Sequence, residues 1–249
     1  MCCFSGAVES VTNTRIFARL TGKGSQFVVY QMRWKAQKPV AMILPIPVVQ
    51  GKPDAVRFVN LKEYASFFED LRKGFPVEPP TRSGGRGLKS FSKAADPTLP
   101  VEEVGDFVAS FVPTVADFAR LDPRFMIPKE TWDQVPGYRR FGFTVFQLKA
   151  AAKNGASVHP IAFEFDNRMG NSLFFPTLHI HDGAVHPREE FDHMLYAQGV
   201  VIGEKTLQNA EKFVAIDKAQ GVIDGKLPLT RKLLRGHLQN RDTIFAVSS

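Results

Sequence analysis

Cysteine is nearly absent from this sequence of 249 residues. The two that occur, Cys2 and Cys3, are neighbours, and a bridge between them would be strained and close no useful loop, so the fold is not a disulfide scaffold. Long apolar runs are missing too. The longest, VAMILPIPVV at 40–49, holds two prolines and is about half the length a spanning helix needs, which excludes a membrane helix. The start, MCCFSGAVES, has no basic stretch leading into an apolar one, so no secretory signal is read there and the expected location is cytoplasmic.

The familiar signatures of nucleotide and hydrolase chemistry are also lacking. GKG and SGGRG have neither the spacing nor the Lys-Ser/Thr of a phosphate loop, and no strand runs into a G-x-G-x-x-G turn. There is no G-x-S-x-G elbow, H-E-x-x-H helix or C-x-x-C pair. The carboxylate pairs Glu102-Glu103 and Glu189-Glu190 read as solvated surface.

What the chain does have is core-forming material: 44% hydrophobic residues, 22 of them Phe, against 23% charged. That is a globular composition. The net charge of +7 favours an acidic partner in general terms. The basic residues are scattered, however, and the densest group, RSGGRGLKSFSK at 82–93, lacks the aromatic platform of a single-strand binder, so nucleic acid is not expected.

Along the chain, TRIFARL, QFVVYQMRW and VAMILPIPVV read as a meander, with Pro45 and Pro47 placing the third strand at an edge or ending it. NLKEYASFFEDLRKG reads as a helix, with Asn60 and Glu63 as a capping box, Leu61, Tyr64, Phe67, Phe68 and Leu71 as its buried stripe, and Gly74 as its C-terminal cap. Residues 76–100, rich in Pro, Gly and Ser, read as a long loop or linker. Beyond it, EEVGDFVASFVP reads as a strand, TVADFARL and KETWDQV as short helices, and RFGFTVFQLKA with SVHPIAFEFD as a hairpin about AAKNGA. SLFFPTLHI continues the sheet, REEFDHMLYA reads as a helix, TLQNAEKFVAI is a helix candidate, and LTRKLLRGHL is ambiguous. The expected class is α+β, mainly antiparallel sheet with a few short helices. Residues 1–249 form a single domain or two closely packed halves: 1–75 a meander plus helix, 101–249 a second β-rich half.

Several segments, in order over about residues 2–165, resemble a family of uncharacterised bacterial proteins, a domain of unknown function with a cysteine-bearing start. They are CCF, VAMILPIPV, VEEVGDFVASFVP, YRRFGFTVFQLK and HPIAFEF. Members of that family look secreted and carry more cysteines at the start. The resemblance implies architecture and no activity.

Histidine is concentrated where that resemblance stops. TLHIHDGAVHPREEFDH, 177–193, holds four of the six histidines. Asp182-Gly183 is a two-residue hairpin signal, and that register sets His179 opposite His186 with His181 on the same face, while Leu178, Ile180 and Val185 face the core. Three imidazoles on one face suit Zn, Fe, Cu or Ni, with His193 or Cys2 completing the shell. This predicts a transition-metal site serving hydrolysis or an oxygen-bearing small-molecule ligand. The bland alternative is that these histidines are the polar side of a hairpin, as His159 and His237 are read as structural and solvated.

Two rivals stand beside the metal reading. Removal of Met1 would leave Cys2 as an N-terminal nucleophile with its own amine as base, the logic of N-terminal amidohydrolases, which resemble this chain only in beginning with Cys. The other is a non-enzymatic binding module. The sequence leaves all three open.

Overall fold

The computed structural model describes residues 3–52, 54–75, 101–104, 107–149, 151–157 and 159–247. The long loop or linker expected at 76–100, like Cys2, lies outside the described residues. The strands are β1 (Cys3–Phe4), β2 (Ser10–Leu20), β3 (Ser25–Ala36), β4 (Val40–Ile46), β5 (Val56–Asn60), β6 (Val101–Val104), β7 (Phe107–Val112), β8 (Gly142–Leu148), β9 (Ala151–Ser157), β10 (Ile161–Asp166), β11 (Ser172–Phe175), β12 (Arg188–Gln198), β13 (Glu204–Asn209), β14 (Pro228–Gln239) and β15 (Thr243–Ala246). The helices are short: α1 (Phe67–Lys73) and α2 (Lys129–Asp133), joined by several single 3₁₀ turns. No described helix is long and apolar enough to cross a membrane.

Three sheets result. One runs β1-β4-β8-β7-β6, another β13-β14-β12-β2-β3-β10-β5 with β9 also on β3, and β11 pairs with β15 alone. Nearly every pairing is antiparallel, but β12 lies parallel to β2, with Leu195 opposite Ile16. The protein is therefore mainly β, in antiparallel and mixed sheets. Strand β3, with neighbours on both edges, is apolar and buried along most of its length, as expected for a strand covered on both faces. Strand β4 is similar, and its Pro45 is tolerated because β1 reaches only Met42 and Ile43. At Pro45 the strand has a single neighbour, β8.

The two principal sheets enclose the larger core, which includes Phe143, Phe146, Phe163 and Phe174. A second core lies on the far face of the eight-stranded sheet, under α1. Leu61, Tyr64, Phe67, Phe68 and Leu71 are buried in it, the same stripe the helical spacing picks out. The helix itself is shorter than the spacing predicts: a 3₁₀ turn at Lys62–Tyr64 precedes α1, whose N-cap is Ser66. The N-cap of that turn is Leu61, not Asn60, although Asn60 accepts from Lys62 N at 3.0 Å. Gly74 keeps a right-handed conformation. Glycine is needed there because a Cβ would stand 2.3 Å from the Phe213 ring.

Several elements depart from expectation. RFGFTVFQLKA and SVHPIAFEFD do not form a hairpin, since β8 and β10 belong to different sheets and the intended turn is itself strand β9 on β3. REEFDHMLYA is strand β12, not a helix, because its buried positions Phe191, His193, Leu195 and Ala197 alternate with the period of a pleated strand. TLQNAEKFVAI divides between β13 and a 3₁₀ turn at Ala210–Lys212, and LTRKLLRGHL lies in β14. The 3₁₀ turn at Val115–Arg120 and α2 take the places of the two predicted short helices.

Candidate functional site

The histidine stretch turns at Asp182-Gly183, but it does not return as a hairpin. Gly183 has φ +82°, and Asp182 accepts from Ala184 N at 3.0 Å, a local turn of the kind Asp favours. After it the chain enters β12, whose two edges are taken by β14 and β2. No edge remains for residues 177–181. Their backbone groups, which must be satisfied somewhere, find side chains instead.

Two residues of the link between β14 and β15 provide them. Asp242 accepts from Thr177 N at 2.7 Å, Leu178 N at 2.8 Å and the Tyr138 hydroxyl at 2.7 Å. Asn240 accepts from His179 N at 2.8 Å and donates to the carbonyls of His179 and His186, both at 2.9 Å. On the other side, Phe4 N donates to Ile180 O at 2.9 Å beside a parallel bridge between Cys3 and Ile180. Burial raises the Asp242 carboxyl to about 6 against the hydrogen bonds that favour its charge, and burial also pushes the Tyr138 phenol far up.

This anchorage directs His179 into the interior. Its ring stacks on Phe191 at 4.2 Å and lies 5.4 Å from His181 and 5.2 Å from His193. Phe4 closes the group at 5.9 Å from His181. His179 and His193 are fully buried. Both ring nitrogens of each, and Nε2 of His181, have no hydrogen-bond partner among the described residues. Desolvation holds His179 far below the ordinary imidazole range and pushes His181 down to about 4. His179 and His181 are therefore neutral, and the three rings pack as aromatic rings.

Of the four ligands expected, the structure therefore brings together His179, His181 and His193. His186 is elsewhere, half-exposed, with Nε2 2.9 Å from Asp182. That carboxylate raises its pKa. The expected metal-binding site is corrected: among the described residues no group of three or more His, Cys, Asp or Glu is arranged to hold an ion. The His179 and His181 planes are only 18° apart, and imidazole lone pairs lie in the ring plane, so stacked rings aim their nitrogens side by side. Cys3 lies close by, its Sγ 3.8 Å from Leu178 O. His159 packs on Phe107 with ring centroids 4.4 Å apart.

Asp242, Asn240, Tyr138 and Phe191 were not singled out by the sequence. The string QNRDT does signal a turn between strands, but its reach to residues 177–179 exists only in the folded sheet.

No family model matches this sequence, and no curated protein matches it. Among solved structures, baculovirus P35 aligns over 100% of both chains with a TM-score of 0.53 at 14% identity. The chain shares the fold of P35. A caspase-8/P35 complex aligns over 95% of this chain and 96% of that one, with a TM-score of 0.47 at 14% identity. A mutated baculovirus P35 after caspase cleavage covers 96% and 98%, with a TM-score of 0.45 at 14% identity. The expected small-molecule ligand is not carried further: the likeness is to P35, and at 14% identity it shows the fold alone.

Proposed function

We propose that this chain is a non-enzymatic protein-binding module whose partner is a protease of the caspase class. The observation that carries the reading is the P35 fold, matched over the full length of both chains. The surface also leaves apolar side chains in solvent, with Leu207 98% and Val201 72% exposed.

The test is direct. Full-length protein is mixed with purified caspase-8, complex formation is followed by size-exclusion chromatography, and peptide hydrolysis by the protease is followed in parallel. Co-elution with loss of hydrolysis is the expected result, and mass spectrometry of the chain then reports any cut. Separate elution with undiminished hydrolysis, at an excess of about tenfold over the protease, would remove caspase-8 as the partner.

A further inference from the structure

Beside the anchored segment, a groove of about 650 Å³ lies between the outer part of β14 and the start of β15. Its apolar lining is Phe191, Leu234, Leu238 and Ile244, and its rim carries Arg188 and Arg241. The residues have reasons to be there. Leu234 and Leu238 are on the same face of β14 as Gly236, which stands opposite Phe191. Gly236 has φ +97° with open space where a Cβ would be, so β14 adds no side chain there, although Phe191 itself is only 2% exposed. Ile244 is 49% exposed on β15, and β15 pairs with β11 alone.

The charge of the rim has one sign. Neither Arg188 nor Arg241 makes an ion pair among the described residues, although twelve other ion pairs do occur there. Arg188 donates to the His237 carbonyl, which holds its guanidinium at the rim while leaving other donors available. The lining also holds one carboxylate, Asp242, whose oxygens accept from Tyr138, Thr177 and Leu178, so the two arginines outnumber it. Paired arginines beside an apolar floor fit carboxylates flanking an apolar anchor.

We propose that this groove docks an extended segment of a partner protein that alternates acidic and apolar side chains. The proposal rests on the protein-binding reading above and specifies the chemistry of the surface that would serve it. Apolar side chains would enter over Leu234, Leu238 and Ile244, and acidic ones would meet Arg188 and Arg241.

The probe is a fluorescein-labelled nonapeptide of alternating Glu and Leu, read by fluorescence polarisation against the full-length chain. Its counterpart carries Lys in place of Glu. The acidic peptide should bind and the basic one should not, with affinity falling as salt is raised, because exposed charges are screened. Arg241→Glu and Arg188→Glu should each weaken binding at least tenfold, Arg241→Ala by less, and Lys226→Glu, at an exposed site away from the groove, not at all. Equal binding of both peptides, no binding, or indifference to both arginine reversals would overturn the proposal. The same variants are tested for the caspase-8 complex. If that complex forms while the peptide fails, the groove proposal falls and the protein-binding reading stands; if the peptide binds through the arginines while caspase-8 does not, the groove stands and caspase-8 is excluded.

Discussion

Two regions of this molecule bury polar groups, and they do so in opposite ways. Beneath α1, Asp70 and Tyr64 satisfy one another: the Tyr64 hydroxyl donates to Asp70 at 2.9 Å and accepts from Ala215 N at 2.9 Å, while Lys73 donates to Asp70 at 2.5 Å. Around β12, the backbone N–H groups of 177–179 are held by Asp242 and Asn240, yet the His179 imidazole carried inward with them, and that of His193 beside it, have no hydrogen-bond partners among the described residues. The first region is a closed polar network on the edge of an aromatic core. In the second, well-made backbone bonds support side chains that are costly to bury, since an unpaired buried polar group retains its desolvation penalty. Backbone satisfaction and side-chain satisfaction are thus separate quantities, and the two regions should respond differently to substitution and to acid.

The largest expected effects test whether each region is anchored where the contacts indicate. Phe67→Ala, in the fully buried core under α1, should cost about 3–5 kcal/mol of unfolding free energy. Asp242→Ala should cost about 2–4 kcal/mol, because it leaves three donors without their acceptor. Urea denaturation measures both. A loss below about 1 kcal/mol for Asp242→Ala would mean that the 177–179 segment is held by something other than that carboxylate.

Acid should separate the regions next. An imidazole kept neutral by burial binds fewer protons folded than unfolded, so its region loses stability as pH falls. For His181 the window runs from the unfolded value of 6.5 down to about 4, and His179 acts in the same direction. Asp242 works against this. Its folded pKa of about 6 exceeds the ordinary aspartate value of 3.8, so its contribution is present at low pH and is lost as pH rises through 6. Asp242→Asn, which keeps an acceptor for Thr177 and Leu178, should therefore make the decline from pH 7 to pH 5 steeper than in the wild type. Denaturation midpoints across that range decide it, and an unchanged slope would count against the buried-carboxyl account.

Smaller changes sharpen the contrast further. His193→Leu replaces an unpartnered buried imidazole with an apolar group of similar size and should be neutral or stabilising by about 1 kcal/mol. A loss of more than about 2 kcal/mol would reveal a hydrogen bond the ring makes in solution. His186→Ala removes only an exposed pair with Asp182 and should stay within about 0.5 kcal/mol. If it matched His193→Leu in size, position relative to β12 would not be what distinguishes these histidines.

The sequence made some of this readable. Leu61, Tyr64, Phe67, Phe68 and Leu71 are a buried stripe because their spacing is local and the helix that carries them needs no distant partner to define its face. The Asp182-Gly183 turn was readable for the same reason. The hairpin inferred from it was not formed, because β12 is claimed by β2 and β14, strands far from it in the chain. Three of the four candidate histidines do meet, as rings packed around His179 and not through a shared register. Asp242 and Asn240 were invisible as anchors, since nothing in a turn sequence says which distant backbone it will cap. Local periodicity reports faces; it does not report which edges are free.

The parallel pairing of β12 with β2 also sets an order of events during synthesis. Strand β2 can pair with β3 as soon as the turn at Thr21–Ser25 is made, but its other edge must wait for residues 194–198. At the usual elongation rate of about 5–20 residues per second, that edge stands open on the ribosome for roughly ten seconds or more. An open strand edge pairs with whatever strand it meets. A nascent chain of this kind therefore depends on holding an early hairpin apart from its neighbours until residues 194–198 of the 249 have emerged.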